Sequence, residues 1–219
     1  CDIPVQHYGY LSEGRDKIKA EAYYLLGKKK LGDNAEDSGA VYELAVQAGR
    51  LRKFDEAIGL WHRFFGSGSK EDLHLAYMNL GHVYLETGRY EEAAKTIKKA
   101  LEIDPELKEA HLNLALSEFY MGRPKEAVTI LDNLTRKILD YIPAWALLAA
   151  ALILIGEADK YRVTVDRISK KDINPAVFFQ SYAEKLLSAG HEENGERLLK
   201  AARIIWRDLL KSRGLEASD

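Results

Sequence analysis

The chain has a single cysteine, Cys1, which excludes an internal disulfide framework and suits a reducing compartment. Five prolines in 219 residues leave room for long uninterrupted helices. Positive charge is not in excess. The 32 Lys and Arg face 34 Asp and Glu, a net charge of −2 that gives no electrostatic footprint for nucleic acid. The most apolar run, Pro143 to Ile155 (PAWALLAAALILI), has 13 residues, short of the roughly 20 that cross a bilayer, and reads as a helix buried on several sides. There is no Gly-rich phosphate loop and no nucleophile motif. His82 and Glu86 form the one tempting metal pair, but two ligands at i and i+4 make an incomplete site, and a hydrogen bond on a helix surface is the simpler role. No cofactor and no catalytic residue are expected in this chain.

What the chain does contain is a period. Gly88, Gly122, Gly156 and Gly190 stand 34 residues apart. Leu80, Leu114, Leu148 and Tyr182 keep the same spacing, each followed by a small residue: Gly81, Ala115, Ala149 and Ala183. A large residue beside a small one packs as a ridge while a neighbouring helix comes close. Two further columns, Ala93, Ala127, Tyr161, Gly195 and Ala100, Leu134, Ile168, Ala202, drift away from small residues in the later copies. A fixed period of this length is what stacked helix-turn-helix units write into a sequence.

The clearest copy runs from His74 to Leu107. Its first helix carries Leu80, Gly81 and Tyr84, and Gly88 supplies a left-handed cap that ends it. Tyr90, Ala93, Ala94, Ile97, Ala100 and Leu101 mark the buried stripe of a second helix, which Asp104-Pro105 stops. Leu80-Gly81, Tyr84, Gly88, Tyr90, Ala93, Ala100 and Pro105 fall at the spacings of a tetratricopeptide repeat, so the copy closely resembles that family. Counting outward gives copies at 38–71, 74–107, 108–141, 142–175 and 176–209, the first marked by Leu44-Ala45, Phe54, Ala57 and Trp61 and followed by two extra residues. The expected fold is all-α: a superhelical solenoid of about five such repeats, with an extra N-terminal helix, a capping final helix and a tail at 210–219.

The prefix does not look like a repeat. Ile3 to His7 reads as a short strand, and a linker helix is expected within 12–37, starting after Ser12 and ending at Gly32-Asp33-Asn34. Ile18, Ala22, Leu25 and Leu26 give that helix one apolar face. The strand, His7-Tyr8-Gly9-Tyr10 and a Lys-rich helix leading into repeats resemble the junction in family-2 glycosyltransferases that carry such repeats C-terminally. The resemblance implies that residues 1–11 are the tail of an upstream nucleotide-sugar-dependent catalytic domain, with His7 a candidate metal ligand in the parent protein. This chain alone would have no transferase activity, since the aspartate pair that holds the cation is absent from it. The start at Cys1 rather than methionine points to sequence upstream. Alternatively, the chain is a stand-alone adaptor or a lipoprotein scaffold anchored at Cys1.

The family resemblance also implies a partner surface. Repeat positions 2, 5, 9 and 12 would face a concave groove, giving Leu75, Met78, His82 and Leu85, then Glu109, Leu112, Leu116 and Phe119, then Pro143, Ala146, Ala150 and Ile153, with Asn79 and Asn113 beside them. An apolar stripe of this kind is expected to bind a helix or extended peptide of a protein partner, or a second protomer. These positions hold no Lys or Arg, which speaks against a carboxylate-gripping site. Arg197, Lys200, Arg203, Arg207 and Lys211 follow helical spacing on the final helix, which reads as a solvated cap, with contact to anionic lipid as the alternative. The expected setting is cytoplasmic, with the inner face of the membrane as the variant that lipid contact would imply.

Overall fold

The computed structural model describes residues 13–67, 70, 72–169, 171 and 173–212. Among them are eleven helices and no strand. The strand expected at Ile3 to His7, His7 itself and Cys1 lie outside the described residues. The chain divides into two compact units, Cys1–Asn113 and Leu114–Asp219.

The first unit contains α1 (Glu13–Asp33), α2 (Ser38–Arg50), α3 (Phe54–Gly66), α4 (Leu73–Glu86), α5 (Tyr90–Ile103) and the first half of α6 (Lys108–Tyr120). The second contains the rest of α6, then α7 (Pro124–Lys137), α8 (Ile142–Ile155), α9 (Ala158–Ser169), α10 (Pro175–Ser188) and α11 (Glu192–Ser212). The 34-residue period has a direct physical origin in the turns. Gly88, Gly122, Gly156 and Gly190 all take left-handed φ, from +74° to +84°. At each turn the glycine amide donates three residues back, to Leu85, Phe119, Ile153 or Leu187. The next amide, from Arg89, Arg123, Glu157 or His191, donates five back at 2.9–3.0 Å. This paired arrangement satisfies the last carbonyls of the preceding helix. The α2–α3 turn has the same two bonds, from Arg52 to Gly49 and from Lys53 to Ala48, but the left-handed residue there is Arg52, with φ +58°. A search for glycines at the period misses that turn because its left-handed position is arginine.

The small-residue columns mark where helices cross. A methyl added to Gly81 would lie 2.4 Å from Ile97 Cγ1, so α5 sits too close to α4 for any side chain there. Ala93, Ala94, Ile97 and Ala100 of α5 are buried, with Tyr90 and Leu101 half-buried at the edges. In the first unit, Trp61 is fully buried, with the Tyr42 ring edge-on at 5.2 Å and Phe64 at 6.1 Å. In the second, α8 buries Pro143, Ala144, Ala146 to Leu152 and Leu154. It packs against α7, α9, α10 and α11, as a helix apolar all round must. By contrast α9 buries only Thr164 and Ile168.

One sequence expectation is reversed at α1. The face defined by Ile18, Ala22, Leu25 and Leu26 is exposed, while Ala20, Tyr24 and Gly27 are buried and α1 packs on α2. The reason is close approach: a Cβ on Gly27 would already stand 3.3 Å from Leu44 Cβ, a separation the larger face does not permit. The Tyr24 hydroxyl donates to both carboxylate oxygens of Glu56, at 2.7 and 2.9 Å. The ammonium groups of Lys53 and Lys28 sit 3.9 and 4.9 Å from the centroid of its ring.

Candidate interaction surface

The first helices of the first unit, α2, α4 and the start of α6, carry the expected partner positions in two groups. Met78, Leu85 and Leu112 are buried at 4% exposure or less and belong to the core. Leu75, Asn79, His82 and Asn113 remain partly accessible, together with Tyr42 and Val46 on α2 and Glu109 on α6. Asn79 meets the Tyr42 hydroxyl. Burial first, and the Asp72 carboxylate second, push that phenol above its ordinary pKa, with the Asn79 contact opposing them. Asn79 is thus engaged by a tyrosine of a neighbouring first helix.

In the second unit Leu116, Phe119, Ala146 and Ala150 are buried. Phe119 is edge-on to Tyr120 and Tyr182, at 5.7 and 5.9 Å. Only Ile153 among these positions is partly accessible, and its carbonyl accepts a 2.9 Å hydrogen bond from the Arg197 guanidinium, which also reaches the Leu154 carbonyl at 2.9 Å. Arg197, one of the basic row on the final helix, thus caps the end of α8. The stripe that the sequence presents as strongly apolar is for the most part interior. Repeat position sets the direction of a side chain, but not whether a neighbouring helix covers it.

The described residues offer no grouping of three or more His, Cys, Asp or Glu that would hold a metal. Glu86 pairs with Arg52 at 3.4 Å. Among the described residues no helix is long and apolar enough to cross a membrane.

Two family models match the chain, over residues 42–107 and 84–152, and both describe the tetratricopeptide repeat. The chain is a tetratricopeptide-repeat protein. Solved structures with this fold agree. YrrB, described as a TPR protein with an unusual peptide-binding site, matches with a TM-score of 0.61 at 19% identity, over 86% of this chain and 98% of that one. Pseudomonas aeruginosa PilF gives 0.66 at 18%, over 93% and 88%, and MamA gives 0.62 at 19%, over 74% and 89%. Among curated proteins, human protein O-mannosyl-transferase TMTC1 is 28% identical over 129 residues, which is 58% of this chain and 14% of that protein. Human Superkiller complex protein 3 is 32% identical over 80 residues, 36% of this chain and 5% of that protein. The matched segment of this chain thus spans only 14% and 5% of the two human relatives. Family and fold support a scaffold for protein–protein interaction.

Proposed function

We propose that this tetratricopeptide-repeat chain holds a peptide or helix of a protein partner against the first helices of its first unit. The observation that carries this reading is the partly accessible row Leu75, Asn79, His82 and Asn113, bordered by Tyr42, Val46 and Glu109 on a base of buried Met78, Leu85 and Leu112. Such a row offers apolar contact at one end and hydrogen-bonding side chains along its length, the combination that fixes a peptide's register. In the second unit Ile153 is the remaining accessible position, so the first unit is the better candidate.

Selection of binders from a displayed peptide library tests the proposal. His82→Ala and Asn113→Ala are expected to weaken selected peptides by about tenfold, near 1.4 kcal/mol. Binders indifferent to both substitutions would overturn it, and a second protomer on the same row would appear as a dimer that the same variants dissociate.

The finer reading is a scaffold attached to a nucleotide-sugar-dependent glycosyltransferase, recruiting its acceptor or assembly partner. Two observations support it: the order of His7-Tyr8-Gly9-Tyr10, Lys-rich helix and repeats, and similarity over 129 residues to a protein named as an O-mannosyl-transferase. An upstream sequence with a nucleotide-sugar fold and an acidic pair is the expected finding; a signal peptide ending at Cys1 would instead favour the anchored adaptor.

A further inference from the structure

Helix α1 shares the burial spacing of the second helices. Ala20, Tyr24 and Gly27 repeat the i, i+4, i+7 pattern of Ala93, Ile97 and Ala100 on α5, and all six are buried. The opposite faces differ. On α5 that face presents Glu91, Lys95, Lys98 and Lys99 to solvent; the equivalent residues on α1 are Ile18, Ala22, Leu25 and Leu26, also exposed. Ile18 and Leu25 are 67% and 66% accessible, and Leu26 is 47%. A helix that has one covered face and a second apolar stripe opposite it carries two contact faces.

The spacing of the stripe fits a second helix. Ile18, Ala22, Leu25, Leu26 and Lys29 fall at i, i+4, i+7, i+8 and i+11, one seam along α1, and the small Ala22 lets a partner helix approach between larger neighbours. Lysines outnumber acids around the seam. Lys28 and Lys30 are occupied by Glu56 and Glu43, at 3.5 and 2.9 Å. Lys17, Lys19 and Lys29 have no acidic partner among the described residues, Lys19 lying instead 5.8 Å from the Tyr23 ring centroid. Two acids border the seam, Glu21 on its flank and the exposed Asp33 four residues beyond Lys29.

We propose that this face of α1 docks an amphipathic helix of a partner protein whose apolar stripe is flanked by glutamate or aspartate. A second copy of α1 would set the same lysines against one another. An anionic membrane matches the charge, but the seam is narrow, with Ala22 near its middle and Lys29 within it, whereas an interfacial helix needs a broad apolar face. The site uses neither His82 nor Asn113, so it stands or falls separately from the first-helix surface.

The test uses the full chain and a synthetic peptide of about 18 residues, long enough to form a helix on binding, with leucine along one seam and glutamate on both flanks. Fluorescence anisotropy is expected to show binding that weakens as salt is raised. Ile18→Ser with Leu25→Ser, both at exposed positions, should keep the helix content and weaken binding at least about tenfold. Lys19→Glu with Lys29→Glu should weaken it comparably, and a lysine-flanked peptide should recover binding to that variant. His82→Ala should change nothing. The proposal is overturned if the wild-type chain does not bind the peptide, or if the seam variant binds it equally well. It is also overturned by a wild-type dimer that Leu25→Ser dissociates, by binding that appears only after residues 1–12 are removed, or by anionic-vesicle flotation that needs Leu25 while the peptide fails to bind.

Discussion

A methyl group added at Gly156 meets no atom within 4 Å, whereas at Gly122 it would lie 2.6 Å from His191 Cε1. Both residues are left-handed, at φ +82° and +74°, so alanine at either position costs about 1–2 kcal/mol in backbone strain. Gly122→Ala should add about 1–3 kcal/mol for displacing the imidazole. Urea midpoints are expected to rank wild type above Gly156→Ala and that above Gly122→Ala, with the excess disappearing in Gly122→Ala combined with His191→Ala. Arg52 runs the argument in reverse. Glycine there relieves about 1 kcal/mol of strain, offset in part by loss of the exposed pair with Glu86 and of the guanidinium 5.1 Å from the Phe54 ring centroid. Arg52→Gly is therefore expected to be neutral or slightly stabilising; a marked loss of stability would show that its two contacts outweigh the strain. The tyrosines set a pH limit. Burial raises the pKa of Tyr42, Tyr84, Tyr90 and Tyr161 in the folded chain. A phenol raised in this way contributes stability that is fully present below the unfolded value of about 10 and is lost as pH rises through the folded value. Stability should hold from neutral pH to about 9 and fall above about 10, less steeply in Tyr42→Phe; a flat profile into the alkaline range would contradict it.

At the scale of elements, α1 shows what periodicity leaves undecided. Two stripes on this helix have helical spacing, Ala20-Tyr24-Gly27 and Ile18-Ala22-Leu25-Leu26, and the second is the more hydrophobic. Hydrophobicity ranks the stripes one way, while the approach permitted by Gly27 against Leu44 ranks them the other, and packing decides. The anchor is Tyr24, buried under two lysines and bonded to Glu56. Tyr24→Ala removes a buried aromatic ring and is expected to cost about 3–5 kcal/mol of local stability. Hydrogen exchange should then show α1 amides losing protection while those of α4 and α5 keep theirs; uniform loss across the unit would mean α1 is integral to its core. The glycine turns and the pairing of helices were legible because each repeats. The turn at Arg52 was not, since a non-glycine residue in left-handed geometry leaves no mark in composition.

On the scale of the molecule, the same limit separates fold from site. A 34-residue period specifies helices, turns and the direction of side chains. Exposure depends on which neighbouring helices arrive, and that is why Leu116 and Phe119, candidates for a partner surface by repeat position, lie in the core of the second unit. Substituting them with polar residues would unfold the unit before it tested any partner. The core of that unit is organised by α8, whose Leu147 and Leu152 are at most 1% exposed and which packs against four other helices. Repeat stability is built from units and their neighbour interfaces, so a cavity in a helix with four neighbours weakens more interfaces than one in a helix with few. Leu147→Ala is expected to cost about 2–5 kcal/mol and to lower amide protection throughout α7 to α11. Val163→Ala on α9, at a position 71% exposed, should leave protection of α8 and α10 unchanged. Loss of protection confined to α8 itself in Leu147→Ala would show that the second unit unfolds helix by helix, and α8 would then not be the element that holds it together.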